Sequence, residues 1–353
     1  MTDHVSSAPA AAHDAAHGAA QSAARTPAWY RSPLARDELA ALSRRSNLRG
    51  WLQAGGHLLL LLATGTLTLA LFRHGHYAAA LVALLVHGGC YGFLGWAGAG
   101  HELSHRTVFA SRRLNDAFLA LFAFLTWNNP VYFRASHARH HQKTVHDGED
   151  FEVRLPQTTR RGDWLWACTF NVPAMVRAVR IVVENSRDVV KGPAGQLLFA
   201  DRAGAPRRDL VRTARRTLGG HIVLAAGFLA TGNWELLLLV TLAPFVGDWP
   251  SKLLALAQHY GMEPNVADFR RNSRTVLLHP ACAWLYWQMN YHIEHHMYPA
   301  VPFHQLGRLR DAIANDLPAP TVGLRGIVAE IRSGRLARAS LPGAPRRFSE
   351  QRD

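Results

Sequence analysis

Cysteine is scarce: Cys90, Cys168 and Cys282 are the only three in 353 residues, scattered and odd in number. That excludes a disulfide framework and a CxxC metal site, fits a reduced, cytosol-facing environment, and leaves too few thiolates for a built-in four-cysteine iron–sulfur cluster. The first 28 residues lack an apolar core, so no cleavable signal peptide is expected and the first true span has to serve as the membrane signal. This Ala-, Ser- and His-rich segment has too little large apolar surface to offset the entropy of ordering, so residues 1–28 are expected to be a disordered tail and His4, His13 and His17 receive no ligand role. Acidic residues are also few, 25 against 39 Lys and Arg, for a formal charge of +14. A nucleic-acid reading of that charge needs basic residues interleaved with exposed stacking aromatics, whereas Trp and Phe here fall mainly in apolar runs, and it is set aside.

Charge is missing altogether from two long stretches. Trp51–Phe72 is uncharged, Leu-rich and long enough at 1.5 Å per residue to cross a hydrocarbon core of about 30 Å. Tyr77–Ala97 follows after only Arg73, His74, Gly75 and His76, a connection that suits an antiparallel hairpin. Leu218–Thr231 and Trp234 to about Val246, continuing past Asp248 toward Leu256, form a second candidate pair around Gly232 and Asn233. Of the 39 cations, 32 lie between Arg106 and Arg216 or after Lys252, one at Arg73 and none at 231–234. By the positive-inside rule both termini and the long middle segment are cytoplasmic. The expectation is an all-α, multi-pass integral membrane protein: about four spans in two hairpins under a cytosolic helical cap. Residues 29–50 are read as a basic interfacial segment, 51–310 as the membrane domain and 311–353 as a basic C-terminal tail. Leu114–Thr126, ending at Pro130, is read as a re-entrant or interfacial helix, Trp164–Val183 as interfacial, and Lys191–Arg216 as a mobile cytosolic loop.

Against this background stand three histidine clusters: His101 and His105; His137, His140 and His141; and His292, His295 and His296. Residues at i, i+3 and i+4 share a helix face, so each cluster can aim several imidazoles at one point. Eight ligands exceed the four of a single zinc, which makes two neighbouring metals the economical reading. Imidazole suits iron, copper, nickel and zinc alike. Metals at the cytosolic mouth of apolar helices, where an alkyl chain can enter, suggest attack on an unactivated C–H bond; that needs oxygen activation, which redox-inert zinc does not perform, and so favours iron.

The order and placement of HisxxxHis at 101–105, HisxxHisHis at 137–141 and HisxxHisHis at 292–296, the last within Asn-Tyr-His-Ile-Glu-His-His-Met-Tyr-Pro, resemble the three boxes of the membrane fatty acid desaturase and hydroxylase superfamily, over about Trp51 to Leu309. The resemblance implies a non-haem centre of two iron ions, dioxygen as oxidant, two electrons from an external donor, and a ninth ligand after the fourth span, matched here by His259 in Gln-His-Tyr-Gly. It makes a lipid or acyl chain the expected substrate and desaturation the expected reaction. No fused cytochrome b5 module with its His-Pro-Gly-Gly motif is visible, so electrons are expected from a separate ferredoxin, rubredoxin or cytochrome b5-type carrier.

Other residues near the boxes are weighed lower. His146 reads as a helix-end or supporting residue, and Asp147, Glu149 and Asp150 as a solvated run able to orient imidazoles. Glu102 and Glu294 lie off the ligand spacing and read as orienting partners only; Asn290 could hold a water. His57, His87, His221 and His279 read as packed, hydrogen-bonded residues. The competing functions are a lipid or alkane hydroxylase, or a desaturase of a small amino-acid-like metabolite, on the same scaffold. A non-redox zinc membrane protein is the alternative from another class.

Overall fold

The computed structural model describes residues 28–155, 157 and 159–333; the expected disordered tail at 1–28, all but its last residue, and the chain after 333 lie outside the described residues. Helices dominate, and among the described residues the only paired strands are the two-residue parallel pair Val276–Leu277 and Thr321–Val322.

The first long helix, α1 (Asn47–Arg73), starts where Ser46 accepts the Arg49 N–H and stops at a turn in which Gly75 takes a φ of +79°. It packs along α2 (Tyr77–Gly92) as the expected hairpin. Leu59, Leu62, Leu67, Leu81, Val82 and Val86 stay more than half exposed on its outer surface, a large apolar face of the kind that lipid covers. By length and composition α1 is the one helix among the described residues that can cross a membrane; α2 is apolar but shorter.

The second expected hairpin departs from regular helix. Leu218–Ala230 forms the C-terminal half of α7 (Ala205–Ala230), and Thr231 caps it. Residues 234–256 do not form one helix: a π-helical turn at Leu237–Thr241 and a 3₁₀ turn at Ala243–Phe245 lead to a break at Gly247, φ +57°, before α8 (Trp249–Ala257). Pro244 lacks the N–H that a continuous helix would use. The turns of the two hairpins meet at one end, where Arg73 bonds Asn233 at 2.6 Å and pairs with Glu235 at 3.2 Å.

At the other end sits the helical cap: α3 (Ala99–Ser104), α4 (Arg112–Leu125), α5 (Pro130–Lys143) and, late in the chain, α9 (His292–Met297). Asn129 accepts the Val131 and Tyr132 N–H groups and Pro130 takes the first turn, so α4 ends and α5 begins where the sequence signals place the break. Phe118, Leu119 and Phe122 of α4 pack with Leu103, Phe109 and Trp287 in the core beneath the boxes. Trp164–Val183 divides into Arg161–Cys168 and α6 (Val172–Ser186).

Lys191–Arg216 is not the mobile loop expected from its charge and glycines. Gly192–Leu198 is helical and α7 begins at Ala205, because Phe199, Leu210 and Val211 are buried against Val131, Tyr132 and Ala135. Buried Arg207 ties the segment down by bonding Asp188 and the Phe199 carbonyl. The packed cap continues to Ser333, with Leu309, Ile313, Leu317 and Ile327 buried.

At Gly88 the two segments approach closely enough that a β-carbon would run into the backbone carbonyl of Val246. Gly88→Val is expected to cost about 1–3 kcal/mol through overpacking, read as a lowered melting temperature in detergent; an unchanged melt would mean that the two segments do not touch there.

Candidate metal centre

Each box lies on a short helical segment, and the helical phase divides its rings. Residues three and four apart lie side by side on one face, and in the folded boxes the i,i+4 pair turns to one side of that face and the ring beside it to the other. The pairs His101/His105 and His137/His141 meet, with His295, in one group of five; His292/His296 meet, with His140 and His259, in a second group of four. In each group one ligand atom per residue lies within 4.8 Å of all the others. All nine expected histidines are therefore brought together, and the adjacent pairs His140–His141 and His295–His296 each contribute one ring to either side. The two groups touch through His141 and His296, whose ring centroids are 4.4 Å apart.

Carboxylates and carbonyls behind the rings set their orientation. Nδ1 of His140 is 2.8 Å from Asp150, Nδ1 of His137 is 3.0 Å from Glu152, and Nδ1 of His259 is 2.8 Å from the Asn272 carbonyl. An acceptor at Nδ1 fixes the proton there and turns the Nε2 lone pair toward the cluster. Asp150 carries a second task. It accepts the N–H of Val145, whose φ of +56° is strained for a β-branched residue directly after the second box.

The Nε2 atoms converge on one another. His137 Nε2 lies 2.9 Å from that of His105 and 3.1 Å from that of His141; His292 Nε2 lies 2.9 Å from that of His259 and 3.0 Å from that of His296. A neutral ring nitrogen holds either one proton or one lone pair, so two such close contacts are not both satisfied by ordinary imidazole hydrogen bonds. A shared cation satisfies them. The donor set fits a borderline metal ion such as iron, and five plus four imidazoles exceed what one tetrahedral zinc site takes.

Burial and neighbouring imidazoles hold His101, His137, His141, His292 and His296 well below the ordinary histidine range, and His105, His259 and His295 at about 3. These rings are neutral at pH 7, the form that binds metal. Burial also works against a charged His140, but the Asp150 carboxylate outweighs it and raises that ring instead. Burial pushes the Glu102 and Glu152 carboxyls up to about 7.

The supporting residues divide. Glu102 lies 3.4 Å from His295 Nδ1 and accepts from Thr107, whereas Glu294 turns to Arg310 and Thr275 and contacts no ring of the boxes. His146 bonds the Thr144 carbonyl in the turn after α5, and Asp147 and Glu149 stay at the surface, Glu149 pairing with Arg139 and Lys143. Asn290 donates to the Val276 carbonyl and keeps its Oδ1 buried and unpartnered. His57, His87, His221 and His279 are held by hydrogen bonds away from the clusters, His57 between the Cys90 carbonyl and the Trp287 indole. Glu152 was missed by the sequence reading. Its signal was present: the acid-rich run Asp147–Glu152 directly follows the second box in an acid-poor chain.

Comparison with known proteins adds two findings. The family model for fatty acid desaturases matches residues 76–326. The human protein sphingolipid delta(4)-desaturase/C4-monooxygenase DES2 is 24% identical over 216 residues, which covers 60% of this chain and 58% of that protein.

Two outcomes follow from the site. Asp150→Ala removes the support of one ring and of the strained turn, and is expected to weaken metal retention about 10–100-fold, measured by equilibrium dialysis against a chelator; unaltered retention would separate Asp150 from the metal. Eight rings with folded-state values below the unfolded value near 6.5 take up protons on unfolding, so they destabilise the metal-free chain as pH falls from about 6.5 toward about 3, while His140 and the raised carboxyls of Glu102, Glu152 and Glu294 act in the opposite sense and offset only part of that loss. The chain's melting temperature should fall between about pH 7.5 and 5.5; a rise would contradict the burial of neutral rings.

Proposed function

We infer that this chain, which belongs to the fatty acid desaturase family, is an oxidoreductase that removes two hydrogens from adjacent carbons of an acyl chain, forming an alkene. The two histidine groups support the reading: His101, His105, His137, His141 and His295 would hold one iron ion, and His140, His259, His292 and His296 a second. Bound iron supplies oxygen activation. Over a full cycle one dioxygen, two electrons and two protons accept the two substrate hydrogens and leave as two waters. The electrons come from a separate ferredoxin, rubredoxin or cytochrome b5-type carrier.

The protein's own contribution is preorganisation. Glu152, Asp150 and the Asn272 carbonyl hold the Nδ1 protons of His137, His140 and His259, so these rings present lone pairs without rearrangement. Burial keeps the rings neutral and excludes bulk water from the reacting face. Trp96 stacks on Phe133 with centroids 3.9 Å apart, and Phe133 stacks on His137 at 4.9 Å. Trp96 also lines a cavity of about 560 Å³ with Gly92, Gly95, Thr126, Asn128 and Phe245. This cavity is of ligand size and two stacked rings, Trp96 and Phe133, from His137, and it is the proposed seat of the alkyl chain. Four spans with cytoplasmic termini and boxes are proposed as the topology that brings this chain from the bilayer.

Hydroxylation on the same site is the second reading. The name of the human relative couples a desaturase with a monooxygenase, and the partition between second hydrogen loss and oxygen insertion depends on ångström-scale placement.

The test is mass spectrometry of lipids and small metabolites from cells expressing the chain with a ferredoxin system, beside His141→Ala. The expected product is lighter by two hydrogens and missing in the variant. A product heavier by one oxygen would replace desaturation by hydroxylation, and equal product from His141→Ala would remove that ring from the site.

A further inference from the structure

The start of α1 and the late cap helix Leu306–Ala312 enclose a second cavity that the proposed reaction does not use. It has a volume of about 500 Å³ and is lined by Arg49, Gln53, Trp284, Tyr291, His304 and Arg308, among others. Arg49 and Arg308 make no ion pair among the described residues; Arg308 has only the Gln305 side chain, at 3.3 Å. Asp311 is the single carboxylate in the lining. The guanidiniums stand at the N-terminal end of a 27-residue helix, whose dipole adds positive potential. Arg44 and Arg45, exposed and just upstream, add more. Buried Nδ1 of His304, which also lines the cavity, has no hydrogen-bond partner.

The apolar side of the same place matches a chain. Leu48, Trp51 and Leu52 are 68%, 50% and 58% exposed, and the outward face continues along α1 through Leu59 and Leu62. A phosphate among the guanidiniums would leave its acyl tails along this face, at the level where a membrane-crossing α1 leaves the bilayer. The chemistry that fits is therefore amphiphilic, with an anionic phosphodiester head.

We propose that the cavity between Arg49 and Arg308 binds the headgroup of an anionic phospholipid and seats the cap against the bilayer. The site lies apart from the 560 Å³ cavity, so it stands whether or not the proposed reaction is correct.

The full chain, delipidated in detergent, is titrated with dioleoyl phosphatidylglycerol or dioleoyl phosphatidylcholine, and bound lipid is counted by native mass spectrometry. Phosphatidylglycerol should be retained in preference to phosphatidylcholine. Arg49→Gln with Arg308→Gln should weaken it roughly thirtyfold, while Arg160→Gln with Arg161→Gln, which removes the same charge elsewhere, should change it less than about twofold. Should the first double variant not fold, each single variant carries the test at a smaller loss, expected at roughly fivefold. Equal retention of the two lipids, equal losses in the two double variants, or displacement of the lipid by excess inorganic phosphate would each overturn the proposal, the last by making this a free-anion site.

Discussion

Packing nine imidazoles into a largely dry cap is the constraint on which the rest of the molecule depends. Seven of the nine are buried and His105 and His141 partly so, and a buried polar ring without a partner is costly. The chain meets that cost from behind with Asp150, Glu152 and the Asn272 carbonyl, and leaves the converging Nε2 atoms for a cation. Asp150 is central because its two oxygens serve four donors: His140, and the N–H groups of Val145, Glu152 and Val153. One carboxylate thus orients a ring, holds a strained turn and closes the loop that delivers Glu152 to His137.

Helical geometry explains why the boxes have the form they do. In HisxxHisHis the i,i+4 pair serves one group and the intervening ring the other, so two short helices, α5 and α9, each supply both groups. HisxxxHis on α3 has no such third ring and serves one group only. The third box also needs an unusual approach: Trp287 and Gln288 both take left-handed φ angles just before it, a conformation anchored by the buried Trp287 indole donating to His57.

Much of this was legible in the sequence because it rests on periodicity. The His spacing pointed to the eight box rings, the family resemblance added His259, and the charge-free runs pointed to the α1–α2 hairpin. What periodicity does not encode was harder to read. Lys191–Arg216 is basic and glycine-containing, yet Phe199 and Leu210 order it through contacts with α5, more than fifty residues earlier. The fourth apolar run reads as a helix by composition, but Pro244 and the left-handed Gly247 break it. Sequence singled out Glu294, inside a box, as an orienting partner and passed over Glu152; only the folded loop reveals that Glu152 faces a ring and Glu294 faces Arg310.

The two histidine groups are proposed to hold two metal ions. This is tested most directly by the metal content of the purified chain after anaerobic reconstitution with ferrous iron, measured by plasma mass spectrometry with Mössbauer spectroscopy to establish coupling. Two iron ions per chain in a coupled, nitrogen-rich environment are expected. A single tightly held zinc, or iron at one site with no partner, would contradict the proposal.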